Sequence, residues 1–222
     1  MEAVQTNAND PAAPLQWSKT LFLPSWTQRL KQIAARTLGT GQPALAVQLP
    51  QGEDRKEWLA ALTVDFYNET RVLYAALAEA CTALHCPVMS AGPKYEYLWV
   101  DGAGEPRRMS APDYIERLFD WVEEKLEDET LFPVHENWPF APGFLSSIKV
   151  IFKRLFRVYA HVYHCHFLHA VTLGLDSHLN TSFKHFLFFV DQYQLVCEEE
   201  LVPLEKLVQE FRLRCKGDSN RL

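Results

Sequence analysis

An apolar stripe at helical spacing runs along residues 148–166 and organises the rest of the pattern. Apolar side chains recur there at steps of three and four residues, which is the repeat of one face of an α-helix. The stripe consists of Ile148, Ile151, Phe152, Leu155, Tyr159 and Val162. Because neither Gly nor Pro interrupts the stretch, it predicts a central helix that ends near Gly174.

Similar patterns predict further helices over 25–38, 54–82, 180–193 and 203–214, and one that begins at Ser110. Ser110 is a good cap residue, and Pro112 and Asp113 suit a first helical turn. Alternation over 95–99, a Gly-containing turn over 101–104 and a returning segment over 107–109 predict a small β-hairpin. The chain is therefore predicted to be mainly α-helical.

Composition predicts one globular domain over 25–216, with flexible ends over 1–24 and 217–222. The chain has 222 residues, 48% hydrophobic and 23% charged, which suffices for a sizeable core. A net charge of -6 argues against a nucleic-acid or membrane-surface binder, and no apolar run approaches the ~18 residues of a membrane span. Five cysteines without a readable secretory signal favour thiols in the cytoplasm, with the nucleus as a second location.

Two groups of Cys and His residues are candidates for a structural zinc site. Cys81 and Cys86 form one local pair, and the second group is His161, His164, Cys165 and His166. Structural zinc is held by four such ligands. Helix geometry favours His161 with His164 or Cys165, because His161 and His166 lie about 140° apart on a straight helix. Buried imidazoles and unrelated thiols remain the alternative.

Catalysis is not indicated. No acidic residue lies within the His161–His166 cluster, and no H-E-x-x-H, G-x-S-x-G or phosphate-loop motif is present. Four protein ligands would leave no open metal position for a substrate or water. We therefore predict that the protein is not an enzyme, with a zinc hydrolase as the less favoured alternative.

Two charged surfaces are candidate binding sites. Lys153, Arg154 and Arg157 form a compact donor patch suited to phosphate, although such a patch can equally be a solvated face paired with the acids of 123–129. An acidic edge near the start of the 54–82 helix is a candidate docking surface or, again, a solvated face. This edge comprises Glu53, Asp54, Glu57 and Asp65, beside Trp58. The apolar repeat of the same helix also marks Trp58 and Phe66 as core positions.

Several long stretches resemble the Mob (Mps-one-binder) family of kinase co-activators, over nearly all of 26–214. They are Leu49–Trp58, Thr63–Phe66, Cys86–Tyr97, Asp128–Pro133, Lys153–His161 and His178–Phe186. The most similar branch is the founding one, which activates NDR/LATS-class kinases in Hippo-type signalling. The basic trio at 153, 154 and 157 distinguishes it from the striatin-associated branch.

The resemblance implies a helical bundle with a four-helix core and one structural Zn²⁺ held by Cys81, Cys86, His161 and His166. His166 would then have to come from a distorted or ending helical turn. It also implies a non-catalytic adaptor with two binding surfaces. The acidic surface (Glu53, Asp54, Glu57, Trp58 and Asp65) would bind the N-terminal regulatory segment of an NDR/LATS-class AGC kinase. The basic trio (Lys153, Arg154 and Arg157) would bind a phosphothreonine motif of an upstream Hippo/MST-class kinase or phosphorylated scaffold.

Thr20 and Thr37 fall where that branch carries regulatory phosphorylation. The alternative function is a Mob-type scaffold in a striatin-like complex that contains a phosphatase and a kinase.

Overall fold

The computed structural model describes residues 43–219, apart from Ala103, Glu136 and Asn137. The predicted helix over 25–38 lies outside this part. The chain forms α1 (Pro43–Ala46), α2 (Arg55–Ala75), α3 (Ala111–Leu126), α4 (Phe144–His161), a π-helical turn (Val162–His166), α5 (Phe167–Thr172), α6 (Asp176–Tyr193), α7 (Glu198–Leu201), a 3-10 turn (Val202–Leu204) and α8 (Glu205–Ser219). The prediction of a mainly α-helical bundle is confirmed.

Side-chain caps fix where α2 and α3 begin. Asp54 Oδ1 accepts hydrogen bonds from the backbone N–H groups of Lys56 and Glu57, at 2.8 and 3.0 Å. Ser110 Oγ accepts one from the N–H of Asp113, so the predicted start at Ser110 is confirmed. These caps satisfy amides that have no carbonyl partner within the first helical turn.

The core of the bundle is formed where α2 packs against α3, α4 and α6. The Phe66 ring of α2 lies 5.5 Å from the Phe152 ring and 5.0 Å from the Phe189 ring, centroid to centroid. Tilted and edge-on ring pairs of this kind add to the energy of burial. The Tyr159 hydroxyl lies 2.7 Å from Ser182 Oγ, which gives α4 and α6 a buried polar link. The central helix predicted from the apolar stripe is therefore part of the core.

Three helix boundaries differ from the prediction. α2 ends at Ala75, not near 82, because the chain beyond it continues in tight turns, with the Leu77 N–H bonded to the Tyr74 carbonyl at 2.9 Å. α6 begins at Asp176 rather than 180, directly after Gly174 (φ +69°) ends the preceding helix. The last helix runs to Ser219 rather than 214.

The predicted β-hairpin over 95–109 is not formed as a ladder within the described residues. Trp99 and Arg107 exchange backbone hydrogen bonds of 2.9 and 2.8 Å as a single antiparallel bridge. Pairing does not continue, because a third segment lies between the two. Met89 donates its N–H to the Met109 carbonyl and accepts from the N–H of Tyr97, so it occupies the groups that a longer hairpin would pair.

The helices of this part of the chain combine apolar faces with charged ones. None of them is both long and apolar enough to cross a membrane.

Candidate functional site

Four metal-ligating side chains meet at the end of α4. Cys81 and Cys86 come from the turns after α2, His161 from the last residue of α4 and His166 from the π-helical turn. All four are buried, and their ligand atoms lie within 4.8 Å of one another. These are the residues that the resemblance implies.

The spacing of these atoms suits a tetrahedral ion. The Sγ–Nε2 distance is 3.4 Å both from Cys81 to His161 and from Cys86 to His166, and the two Nε2 atoms lie 3.2 Å apart. Zinc bonds of about 2.3 Å to sulfur and 2.0–2.1 Å to nitrogen, at tetrahedral angles, put S···N at about 3.6 Å and N···N at about 3.3 Å. The donor set therefore fits a metal ion in both chemistry and size.

The π-helical turn explains how His166 reaches this group. A straight α-helix would place His161 and His166 on different faces, which is why geometry favoured His164 or Cys165. In the π-helical turn the repeat widens towards five residues, so residues 161 and 166 lie on the same side. The geometric preference is therefore wrong. Nε2 of His164 instead bonds the Pro203 carbonyl at 2.9 Å, and Cys165 is exposed.

A backbone contact fixes the tautomer of one imidazole. His161 Nδ1 lies 2.8 Å from the Ser90 carbonyl oxygen. Because a carbonyl only accepts, Nδ1 carries the hydrogen, and in the neutral ring Nε2 presents its lone pair to the cluster. Outer contacts of this kind orient histidine ligands in metal sites.

Burial shifts the pKa values of all four metal-ligating side chains. It lowers the pKa of His161, and it lowers the pKa of His166 to about 4 with a further contribution from the neighbouring His161. Both imidazoles are therefore held neutral, the form that binds metal. Burial also raises the pKa of the Cys81 thiol to about 12 and raises that of Cys86. A bound dication would supply the positive charge that stabilises the thiolate form of both cysteines in this apolar setting.

Arg154 of the basic trio is held mainly by the protein itself. Its guanidinium lies 4.3 Å from the Trp99 ring centroid and 4.2 Å from that of Trp121, so the two indoles enclose it. One of its nitrogens donates to the Val100 carbonyl at 3.0 Å. Desolvation lowers the pKa of Arg154. The alternative interpretation, a solvated face, is therefore wrong for this residue.

The other two members of the trio approach one carboxylate. Lys153 Nζ lies 2.5 Å from Glu200 Oε1, and Arg157 Nη2 lies 3.9 Å from Glu200 Oε2. Arg157 Nη1 also donates to the Tyr114 hydroxyl at 2.7 Å. These three contacts run to α7 and α3, and none of them involves the acids of 123–129.

Only part of the acidic surface is accessible to a partner. Asp54 is exposed and Glu53, Glu57 and Asp65 are half-buried, whereas Trp58 is fully buried, and its indole N–H donates to the Val47 carbonyl at 3.3 Å. Trp58 therefore cannot contact a partner directly as predicted. It instead packs beneath the start of α2 and supports the acidic residues around it.

A groove beside the acidic surface was not predicted. Asp54, Lys56 and Glu57 line it together with the loop that carries His135 and Trp138, so its two carboxylates outnumber one ammonium group. Trp138 is 52% exposed, and its ring lies 4.6 Å from that of His135. An exposed aromatic ring next to carboxylates suits a cationic side chain. Pro and aromatic residues in the loop were the only sequence signal. Thr20 and Thr37 lie outside the described residues.

The fold and the site together define a mainly α-helical protein with a buried Cys2His2 donor group. Its sequence matches the Mob1/phocein family over residues 35–204. It is 52% identical over 182 residues to the "MOB kinase activator-like 1 homolog A" of Dictyostelium discoideum, covering 81% of this chain and 85% of that protein. It is 51% identical over 183 residues to the "MOB kinase activator-like 1A" of Arabidopsis thaliana, covering 82% and 85% respectively.

The chain belongs to the Mob1/phocein family. Its relatives are named as kinase activators, which are regulators of kinases. The family thus indicates a kinase co-activator that works by binding.

Proposed function

We propose that this protein is a non-catalytic co-activator that binds the N-terminal regulatory segment of an NDR/LATS-class Ser/Thr kinase. The observation that carries the proposal is about 50% identity, over four-fifths of the chain, to relatives named MOB kinase activator-like 1. Regulatory segments of this class are basic, and an acidic surface is complementary to them.

The kinase segment binds along the start of α2 in this proposal. Asp54 and Glu57 line the groove next to the exposed Trp138 ring, so an arginine side chain entering it meets both carboxylates and a π-face. Asp65 extends the acidic surface two turns further along the same helix. Binding there would order the kinase segment against the kinase's own lobe and favour the active state.

The second binding surface in this proposal is the basic trio, which receives a phosphothreonine motif of an upstream Hippo/MST-class kinase or phosphorylated scaffold. Arg154 is held in place by its two tryptophans, which supports a preorganised donor at the site. Lys153 and Arg157 lie on the same helix within one turn of it and would supply further donors.

A structural zinc ion held by Cys81, Cys86, His161 and His166 completes the proposal. Such an ion would tie the turns after α2 to the end of α4 and so stabilise the fold. The buried position and four protein donors favour a closed site without a substrate position.

Calorimetric titration with the N-terminal regulatory segment of an NDR/LATS-class kinase tests the main proposal. The wild type should bind, and Glu57→Lys should weaken binding at least tenfold, because it places a cation where a basic segment docks. Glu79→Lys is the matched control, since this exposed residue follows the far end of α2. That end, at Ala75, lies about 27 Å along the helix axis from Glu57, at 1.5 Å per residue.

The Glu79→Lys control should bind like the wild type. Absence of binding by folded wild type would refute the kinase proposal. Equal weakening by both variants would show that net charge, not this surface, governs binding.

A further inference from the structure

An internal carboxylate lies among the cations of the basic trio. Glu200 of α7 approaches Lys153 Nζ at 2.5 Å with one oxygen and Arg157 Nη2 at 3.9 Å with the other. The three side chains are partly exposed, at 25% for Glu200, 41% for Lys153 and 16% for Arg157. One carboxylate therefore faces two cations from different turns of α4 at a site that solvent can reach.

Some of the remaining donors of the trio are engaged elsewhere, whereas Arg154 Nη1 and Arg157 Nε are buried without a hydrogen-bond partner in the part of the chain that the structure describes. Arg157 Nη1 bonds the Tyr114 hydroxyl, and Arg154 bonds the Val100 carbonyl between its two indole rings. The groups that face an incoming anion thus include the two cations that Glu200 already approaches. A phosphate and this carboxylate need the same partners, since both accept charge-assisted hydrogen bonds.

We propose that Glu200 is an internal competitor for the phosphate site and sets the affinity threshold for its ligands. This inference rests on the proposed phosphothreonine binding. A phosphate dianion replaces one carboxylate charge with two and gains Coulomb energy from Lys153 and Arg157. A ligand carboxylate only exchanges one single charge for another. Glu200 therefore imposes the same displacement cost on every anionic ligand, so that phosphorylated segments still bind while the weaker, merely acidic ones fall below the threshold.

The structure provides room for Glu200 to move away. It lies at the edge of an open groove whose other residues come from α4 and from the segment between α6 and α7. That groove is lined by Lys149, Val150, Lys153, Gln194, Leu195, Val196, Cys197 and Glu200. Because α7 comprises only residues 198–201, the carboxylate can rotate into this groove without disturbing a long helix.

NMR titrations with two small probes, capped phosphothreonine and capped glutamate, test the inference. Glu200→Gln keeps the size of the side chain but removes its charge. It should bind phosphothreonine about two- to fivefold more tightly than wild type, the range expected when a partly exposed ion pair no longer has to break. Binding of glutamate, weak in the wild type, should strengthen by a similar factor, because the same displacement precedes both.

Two further variants separate the explanations. Glu199→Gln makes the same charge change at the next residue, which forms no ion pair with the trio within the described residues, and it should leave both affinities unchanged. Lys153→Met should abolish the phosphothreonine shifts, since it removes the more exposed of the two cations that Glu200 approaches.

Every other outcome would refute either the competitor role of Glu200 or the phosphate site itself. Wild-type binding that Lys153→Met abolishes but Glu200→Gln leaves unchanged or weakens would refute the competitor role alone. Equal tightening by Glu199→Gln would do the same, because it would reveal a net-charge effect. Phosphothreonine shifts absent from both wild type and Glu200→Gln, or retained in Lys153→Met, would refute the proposed phosphate site together with this inference.

Discussion

Replacing Arg154 by alanine should destabilise the fold as well as any phosphate site. The guanidinium is enclosed by Trp99 and Trp121 and bonded to the Val100 carbonyl, so it joins α4 to α3 and to the segment before Arg107. A variant that lost phosphopeptide binding would therefore be ambiguous unless its stability were known.

The magnitude follows from these contacts. Two cation–π contacts contribute about 0.5–2 kcal/mol each, and the hydrogen bond to Val100 contributes about 1 kcal/mol. Truncation also removes the cost of burying a charge, which is evident from the lowered pKa of Arg154, and this offsets part of the loss. We expect Arg154→Ala to lower the free energy of unfolding by about 2–3 kcal/mol.

Urea unfolding followed by tryptophan fluorescence measures this loss directly. With a slope of about 2–3 kcal/mol per M, the midpoint should fall by about 1 M. Lys153→Ala, which removes a side chain that is 41% exposed, is the matched control and should cost less than about 1 kcal/mol. Unfolding free energies of both variants within about 0.5 kcal/mol of the wild type are the usual result for neutral surface substitutions. That outcome would show that the enclosing tryptophans do not hold Arg154 in a stabilising contact.

Two further predictions concern the metal-ligating end. Gly92→Ala should cost more stability than Gly52→Ala by about 1 kcal/mol or more. Both residues have positive φ, but only at Gly92 would a Cβ meet His164 Nδ1 at 3.0 Å. Equal losses in thermal melts would contradict that contact. Removing metal with a chelator should release one zinc per chain and lower the melting temperature. Cys86→Ser should lower the melting temperature in the same way, because it removes a ligand. Cys197→Ser, at an exposed thiol, is the control and should not. Metal analysis showing no zinc in the wild type would refute the assignment.

Local pattern and capping chemistry were sufficient to predict much of the fold. The apolar repeat identified buried positions such as Ile151 and Phe66, and Ser110 was recognised as the start of α3 from its own side chain and the Pro that follows. These features depend on a few neighbouring residues, so sequence alone reveals them. The end of α2 was missed because Leu77 and its neighbours keep helical apolar spacing while their backbone forms tight turns.

Contacts between distant segments could not be predicted. The rings that enclose Arg154 belong to Trp99 and Trp121, residues from other elements, and nothing near Arg154 indicates them. The burial of Trp58 was predicted from the apolar repeat, but its hydrogen bond to Val47 was not, since Val47 belongs to the segment after α1. The four-residue donor group followed from resemblance, whereas spacing on a straight helix favoured another pair.

The π-helical turn makes the length of this segment as important as its composition. Between His161 and His166 the chain contains one residue more than an α-helical repeat needs to return to the same face. If all residues were kept and the turn relaxed to an α-helix, everything that follows would rotate by about 100° about the helix axis. Deleting one residue of 162–165 would instead remove the extra residue and leave that direction nearly unchanged. The π-helical turn therefore absorbs one residue while the helix that follows it keeps its orientation. Residue count and helix type are therefore coupled in this segment, which scanning positions one at a time cannot reveal.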